Sequence, residues 1–173
     1  MDIQTIRALI HEIPDFPQPG ILFRDITPVL ADPRALRATV THMAEALAPH
    51  RPEGIVAIES RGFLLGSALA MHMDLPLVLV RKPGKLPRPT QRVSYELEYG
   101  SDALEVHVDD VRADTRYAVV DDLIATGGTC RAAIELLRQR NAEVAVVGFL
   151  IELEALGGRA RLDAPVTSLL LYS

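Results

Sequence analysis

Short apolar runs alternate with longer amphipathic stretches along most of this chain. Four runs have the length of a buried strand, and they cover residues 55–58, 77–80, 117–120 and 144–150. Four longer stretches are predicted helices, and they cover residues 2–12, 32–48, 63–71 and 130–140. Strands that alternate with helices predict an α/β fold, with a mostly parallel central sheet flanked by helices on both faces.

Two segments depart from this alternation. Residues 14–28 are rich in proline and glycine, which predicts an irregular segment. Residues 94–98 and 104–108 alternate apolar and polar positions around Gly100, which predicts an antiparallel hairpin projecting from the sheet. The basic, proline-punctuated approach to this hairpin is typical of a lid.

The stretch from 117 to 131 carries the most specific chemistry. The apolar run 117–120 ends in two carboxylates, Asp121 and Asp122, and a predicted helix follows. Between them lies a turn of small residues, namely Ala125, Thr126, Gly127, Gly128 and Thr129. Glycines let the backbone approach an anion closely, and N–H groups at a helix start point towards it. The pattern predicts a phosphate cradle, with the two aspartates placed to meet a ribose diol or a magnesium ion bound to one.

Other interpretations of this turn were compared with the phosphate cradle. A P-loop requires a lysine after its second glycine, and none follows Gly128. A dinucleotide-binding loop requires Gly-x-Gly-x-x-Gly, which Gly127-Gly128 does not fit. The remaining alternative is an ordinary strand-to-helix turn with incidental glycines and a solvated Asp pair.

Residues 117–131 resemble the phosphoribosyl-pyrophosphate (PRPP) signature of type I phosphoribosyltransferases. Three further segments resemble the adenine phosphoribosyltransferases in particular, in that family's order: 16–28 (FPQPGILFRDITP), 59–63 (ESRGF) and 81–100, which holds RKPGKLP and YELEYG. The likeness covers nearly the whole chain. It implies a single domain over 1–173, with a purine-binding hood at 1–30 and a basic loop and hairpin lid at 81–108. Pro83 departs from the family, where many members carry a basic residue.

The resemblance implies transfer of the phosphoribosyl group from PRPP to adenine, with magnesium as cofactor, through an oxocarbenium-like transition state. The implied catalytic residues are Glu98, Asp121 and Asp122, and residues 125–129 would bind the 5′-phosphate. Glu98 would exchange a proton with the purine, although its alternation in the strand fits an exposed glutamate equally well. Asp121 and Asp122 would favour a cationic sugar and would contact a Mg²⁺ that is bound mainly through PRPP.

Two further groups of residues receive roles from the resemblance. The pyrophosphate would be bound by Ser60, Arg61, Arg81, Lys82 and Lys85. The adenine would be bound by Leu22, Phe23 and Arg24, with Phe23 stacked on the ring and backbone groups of its neighbours distinguishing a 6-amino from a 6-keto purine. Without the family likeness, two alternatives stay open. The basic residues Arg81, Lys82 and Lys85 would also fit a solvated loop, and Leu22 and Phe23 would also fit ordinary core positions.

Composition and charge limit the class of protein and the cellular compartment that this chain fits. The chain has 173 residues, 49% of them apolar, and a net charge of −5, which disfavours a nucleic-acid binder. A single cysteine, Cys130, excludes an internal disulfide and favours the cytoplasm. No signal peptide is evident, and the longest apolar region (63–80) is interrupted by polar residues and a proline, so no membrane span is expected.

Several expectations remain open from the sequence. Cys130 is expected to be a packing residue, although its place at a helix start favours a lowered pKa. The resemblance implies a homodimer. The alternatives are a phosphoribosyltransferase for another base and a non-catalytic PRPP sensor, and the short, acidic chain disfavours the sensor because such regulators usually carry a nucleic-acid-binding surface.

Overall fold

The structure is a computed structural model that describes residues 1–96 and 101–173. Its helices are α1 (Ile3–Ala8), α2 (Thr27–Ala31), α3 (Pro33–Leu47), α4 (Gly62–Met73) and α5 (Gly128–Gln139). Its strands are β1 (His11–Pro14), β2 (Leu22–Asp25), β3 (Gly54–Ile58), β4 (Leu77–Arg81), β5 (Thr90–Glu96), β6 (Ser101–His107), β7 (Arg116–Ile124), β8 (Glu143–Leu153) and β9 (Val166–Tyr172). These elements form two compact units, residues 1–42 and 43–173.

The first unit contains a two-stranded antiparallel sheet, in which β1 and β2 pair from His11 with Asp25 to Pro14 with Leu22. The prediction of an irregular segment over 14–28 was therefore wrong in part, because β2 lies within it and α2 begins in it. Pro17, Pro19 and Gly20 lie in the turn that closes this hairpin, where Gly20 has φ +86° and donates its N–H to Asp15. The predicted first helix is shorter than expected and ends at Ala8.

The second unit is built on a seven-stranded sheet in the order β5-β6-β4-β3-β7-β8-β9. The five strands from β4 to β9 in this order run parallel, and β6 and β5 complete the sheet as antiparallel neighbours. The predicted α/β fold with a mostly parallel sheet is thus confirmed. Strand β9 was not predicted from the sequence; it is an edge strand in which Leu170 is fully buried and most other residues are partly exposed.

Helices cover both faces of this sheet. On one face, alternate residues of β3 such as Val56 and Ile58 share a hydrophobic core with the apolar side of α5. On the other face, α4 packs so closely that a Cβ added at Gly66 would lie 2.5 Å from the Cβ of Ala57. Since Ala57 alternates with Val56 and Ile58, the period of a β-strand places the two helices on opposite faces.

The predicted hairpin is present. Strands β5 and β6 pair over seven residues, from Thr90 opposite His107 to Glu96 opposite Ser101. At its base the hairpin joins the parallel sheet, where β6 pairs with β4 through Val80 opposite Val106 and Arg81 opposite Glu105. The described part of β5 begins four residues earlier than predicted. Across the described ranges, no helix is long and apolar enough to cross a membrane.

Candidate active site at the carboxyl edge of the sheet

The carboxyl ends of β3, β4 and β7 meet at one edge of the second unit's sheet. Ligands of parallel α/β folds bind at this edge, because the loops that follow adjacent strands converge there. A cavity of about 450 Å³ lies at the edge. Its lining includes ten of the predicted site residues, namely Ser60, Arg61, Lys82, Asp121, Asp122, Ala125, Thr126, Gly127, Gly128 and Thr129.

The turn of small residues follows β7 directly and leads into α5. Gly127 precedes the helix with φ +82°, a left-handed conformation that suits glycine. A Cβ at Gly127 would lie 2.8 Å from the carbonyl oxygen of Gly158, and a Cβ at Gly158 would lie 2.2 Å from that of Ala125. The turn is therefore held by a backbone contact with a segment after β8, which the sequence analysis did not identify. Arg161 reinforces this contact by donating to the Thr126 carbonyl at 3.4 Å.

The aspartate pair lies within β7, which continues to Ile124, four residues beyond its predicted end. Asp122 is buried, with 3% of its surface exposed, and its Oδ2 lies 2.9 Å from Nε of Arg61. Asp121 lies against the start of α4, where its Oδ1 would be 2.8 Å from a Cβ at Gly62. Burial, together with the charge of Asp122, raises the pKa of Asp121 well above its ordinary value. Ionising both carboxylates therefore costs free energy, and a positive charge nearby would lower that cost.

Each of three predicted phosphate-binding cations faces a carboxylate. Besides the Arg61 pair, Nε of Arg81 donates to Glu59 at 3.0 Å, and Nζ of Lys82 lies 3.0 Å from Oδ2 of Asp102. Burial alone would raise the pKa of Glu59, but hydrogen bonds from Arg81 and the Lys82 backbone hold it below its ordinary value. The hydrogen bond between Lys82 and Asp102 raises the pKa of the lysine and lowers that of the aspartate, so both stay charged near neutrality.

Among the residues that border the cavity and were not given roles from the sequence are Glu59, Tyr95 and Asp102, whose side chains carry polar groups. Glu59 belongs to the segment 59–63 (ESRGF), so its position next to Ser60 and Arg61 could have indicated that it borders the site. The peptide bond between Glu59 and Ser60 is cis. Tyr95 and Asp102 are cross-strand neighbours in the hairpin. Their proximity depends on the hairpin register, which the alternation of residues did not determine.

Some other predicted site residues do not line the cavity, and one lies outside the residues that the structure describes. The Arg81 guanidinium lies 5.7 Å from the centre of the Phe63 ring and also donates to the carbonyl of Lys85, and neither basic residue borders the cavity. Glu98, the predicted proton-exchanging residue, lies outside the described residues.

The predicted adenine-binding residues belong to the first unit. Within that unit the ring of Phe23 contacts Phe16 edge-on, with ring centroids 5.1 Å apart. Arg24 forms an ion pair with Glu12 across the β1–β2 hairpin. Leu22 is 44% exposed, so the interpretation of this residue as ordinary core was wrong.

Cys130 begins the buried side of α5 and is 5% exposed, as expected of a packing residue. The expectation of a lowered pKa was wrong. Burial raises the pKa of the Cys130 thiol, and the charge of Asp121 raises it further. Desolvation outweighs the helix dipole here because the thiol has little access to water.

The arrangement can hold an anion at the turn and a polyphosphate beside the paired cations, with two carboxylates between them. Such a site on this fold defines a phosphoribosyltransferase. Residues 30–171 match the family model for the phosphoribosyl transferase domain.

The chain belongs to the adenine phosphoribosyltransferase family. It is 54% identical to adenine phosphoribosyltransferase of Synechococcus sp., over 99% of both chains, and 50% identical to that of Rhodospirillum centenum, over 96% of this chain and 98% of the relative. Among solved structures, the enzyme of Thermoanaerobacter pseudethanolicus superposes with a TM-score of 0.97 at 45% identity, covering 99% of this chain and 100% of that one. The Saccharomyces cerevisiae enzyme, solved with an imino-altritol bisphosphate and adenine, gives 0.92 at 40% identity, covering 97% and 98%.

The raised pKa of Asp121 predicts a stability effect. Because the folded state binds this proton more tightly than the unfolded state, ionised Asp121 destabilises the fold, increasingly as pH rises above the ordinary value of 3.8. We expect Asp121→Asn to raise the thermal midpoint of the ligand-free protein at pH 7, with the gain shrinking as pH falls towards 4. Thermal unfolding between pH 4 and pH 8 measures this.

Asp122→Asn is the matched control for this prediction. It removes the buried carboxylate that pairs with Arg61, so it should lower the midpoint at pH 7. A lower midpoint for Asp121→Asn at pH 7 would contradict the electrostatic account.

Proposed function

We propose that this adenine phosphoribosyltransferase converts PRPP and adenine to AMP and pyrophosphate through an oxocarbenium-like transition state, with magnesium. The observation that carries the proposal is the juxtaposition, in one cavity, of an anion-binding turn, an aspartate pair and paired cations. The yeast relative, solved with a bisphosphate sugar analogue and adenine, and the Giardia lamblia relative, 33% identical and solved with 9-deazaadenine, support the choice of substrates.

The 5′-phosphate is assigned to the turn 125–129. In the described structure no side chain caps the start of α5, so N–H groups of its first turn are directed to a ligand. Thr126 and Thr129 add hydroxyl donors. The contact with Gly158 fixes the turn, so little conformational freedom is lost when the phosphate binds.

Asp121 and Asp122 are assigned to the ribose. Their carboxylates would accept hydrogen bonds from the two hydroxyls, and their charge would favour a sugar that becomes cationic as the bond from C1 to pyrophosphate breaks. The raised pKa of Asp121 supports this role, because an empty site that disfavours the second negative charge gains most when positive charge develops nearby.

Pyrophosphate is assigned to Ser60, Arg61 and Lys82, with Arg81 and Lys85 adding positive charge from outside the lining. Across the described ranges, no group of three or more His, Cys, Asp or Glu side chains is arranged to hold a metal. Two carboxylates, one engaged by Arg61, fit a Mg²⁺ that is bound mainly by PRPP oxygens. The ion would supply charge neutralisation for the leaving pyrophosphate.

Leu22, Phe23 and Arg24 are assigned to adenine, and Glu98 to proton exchange with the purine. The exposed Leu22 and the edge-on Phe16–Phe23 pair support an aromatic surface open to a ligand. A backbone carbonyl accepts from a 6-amino group and has nothing to accept from a 6-keto oxygen, which would select adenine.

The protein is further assigned to the cytoplasm as a homodimer. The single thiol suits a reducing compartment. Helix α4 leaves Leu64 51% and Met71 87% exposed, and these residues lie seven positions apart on one side of the helix. Such an apolar side is a candidate surface for a second copy.

The reaction is tested by measuring AMP formation from PRPP and magnesium with adenine, hypoxanthine and guanine in parallel. Adenine should be preferred in kcat/KM by at least about a hundredfold, because a 6-keto group leaves a buried acceptor unmatched. Efficient turnover of a 6-oxopurine would move the function to another base. PRPP binding without turnover of any base would favour the sensor.

Glu98→Gln tests the acid–base role. An amide cannot exchange the proton, so kcat should fall by about 100-fold or more while the dissociation constant for PRPP changes little. Glu96→Gln, two residues earlier in the sequence, is the control and should retain kcat. An unchanged kcat for Glu98→Gln would remove the role.

Gly158→Ala tests the phosphate turn. Gly158 has φ −61°, which alanine adopts freely, so the effect should come from the Cβ placed 2.2 Å from the Ala125 carbonyl. Displacing that carbonyl should weaken binding of ribose 5-phosphate at least about tenfold, measured by calorimetry.

Gly157→Ala is the matched control. Gly157 has φ +64° and open space around its Cβ position, so alanine there should cost about 1 kcal/mol of stability through backbone strain and leave the affinity largely intact. Equal loss of affinity in both variants would contradict the steric account.

A further inference from the structure

The pairing of cations with carboxylates has a consequence for substrate binding. Arg61 and Lys82 are proposed to bind pyrophosphate, and Arg81 adds positive charge from outside the lining. Each of the three already contacts a carboxylate of this chain at 2.9–3.0 Å. A polyanion that enters the cavity meets cations whose charge is already partly balanced. Its net binding energy therefore depends on how readily each pair separates.

The three pairs differ in how firmly the carboxylate partner is held. Asp122 is buried within a central strand, and Glu59 accepts from both the Arg81 side chain and the Lys82 backbone N–H. The side chain of Lys82 is 57% exposed and ends in a flexible ammonium, so it can turn from one acceptor to another. The Lys82–Asp102 pair is therefore the ion pair whose separation costs the least free energy.

Asp102 also connects the hairpin to the phosphate turn. It stands opposite Tyr95 in the hairpin register, and the Tyr95 hydroxyl lies 3.4 Å from Oδ2 of Asp102. The Thr129 hydroxyl lies 3.4 Å from the same Tyr95 oxygen. Tyr95 is 7% exposed, so this chain of contacts has little freedom to rearrange, and it holds the Asp102 carboxylate at the border of the cavity.

We propose that Asp102 is a positioning residue that competes with pyrophosphate for Lys82 and thereby sets the affinity for PRPP and pyrophosphate. When the pyrophosphate group takes Lys82, the carboxylate stays in place through Tyr95 and through the backbone N–H of Ala103, which donates to its Oδ1 at 2.8 Å. The retained negative charge then opposes the polyanion, which favours release of the leaving pyrophosphate. This inference rests on the assignment of the cavity to PRPP.

The test is Asp102→Asn, which keeps the size of the side chain and its acceptor oxygen but removes the charge. Exposed ion pairs are worth up to about 1 kcal/mol, so the expected effect is about a two- to fivefold decrease in both the KM for PRPP and the dissociation constant of magnesium pyrophosphate. The KM for adenine should not change. A merely structural role for Asp102 would predict unchanged or weaker binding of both anions, and either result would overturn the proposal.

Asp110→Asn provides the matched control. Asp110 pairs with Arg88 at 2.7 Å just after β6, so the substitution removes a comparable exposed ion pair from the same region, at residues that do not line the cavity. It should leave both constants unchanged. A gain in affinity equal to that of Asp102→Asn would show a general effect of net charge and overturn the specific one.

A double-mutant cycle identifies the partner. In a Lys82→Met background, Asp102→Asn should no longer tighten magnesium pyrophosphate, because the competition needs the ammonium. The same gain in that background would overturn the role of Lys82. The binding arm does not depend on turnover: if the protein failed to convert adenine, the assigned reaction would fail while the pyrophosphate data still decided the role of Asp102.

Discussion

The active site depends on a close backbone contact between two loops. The turn after β7 and the segment after β8 approach so closely that neither Gly127 nor Gly158 has room for a side chain. The second segment is itself anchored, because Arg159 is held by the buried Glu152 at the end of β8 and donates to the Val166 carbonyl at 2.7 Å, at the start of β9. The position of the turn 125–129 is therefore set by three adjacent strands of the sheet, β7, β8 and β9.

The strand positions also bring two like charges together in the cavity. Since β7 places Asp121 and Asp122 in succession at the sheet edge, the half-buried Asp121 lies against α4 and the buried Asp122 lies against Arg61. The raised pKa of Asp121 is the cost of this arrangement. Functional sites commonly combine such locally unfavourable groups with stable surroundings, and here the hydrophobic core beneath α5 supplies the stability.

The parts of the site that were predictable are those contained in one short stretch of sequence. The aspartate pair and the turn 125–129 follow one another between the apolar part of β7 and α5, so their common place at the cavity could be inferred from order alone. The contact with Gly158 could not, because it joins residues about thirty positions apart through the pairing of β7 with β8. Asp102 required the register of the hairpin, and the β1–β2 hairpin was missed because proline and glycine mark a turn without showing which strands it joins.

The start of α5 has no side-chain cap in the described structure. Its first N–H groups are therefore available to an anion. A ligand that binds only the folded chain stabilises it by about 2.7 kcal/mol at a hundred times its dissociation constant. Chains that unfold less often are degraded less often. A phosphorylated sugar bound at this turn would therefore lengthen the lifetime of the folded chain in a cell.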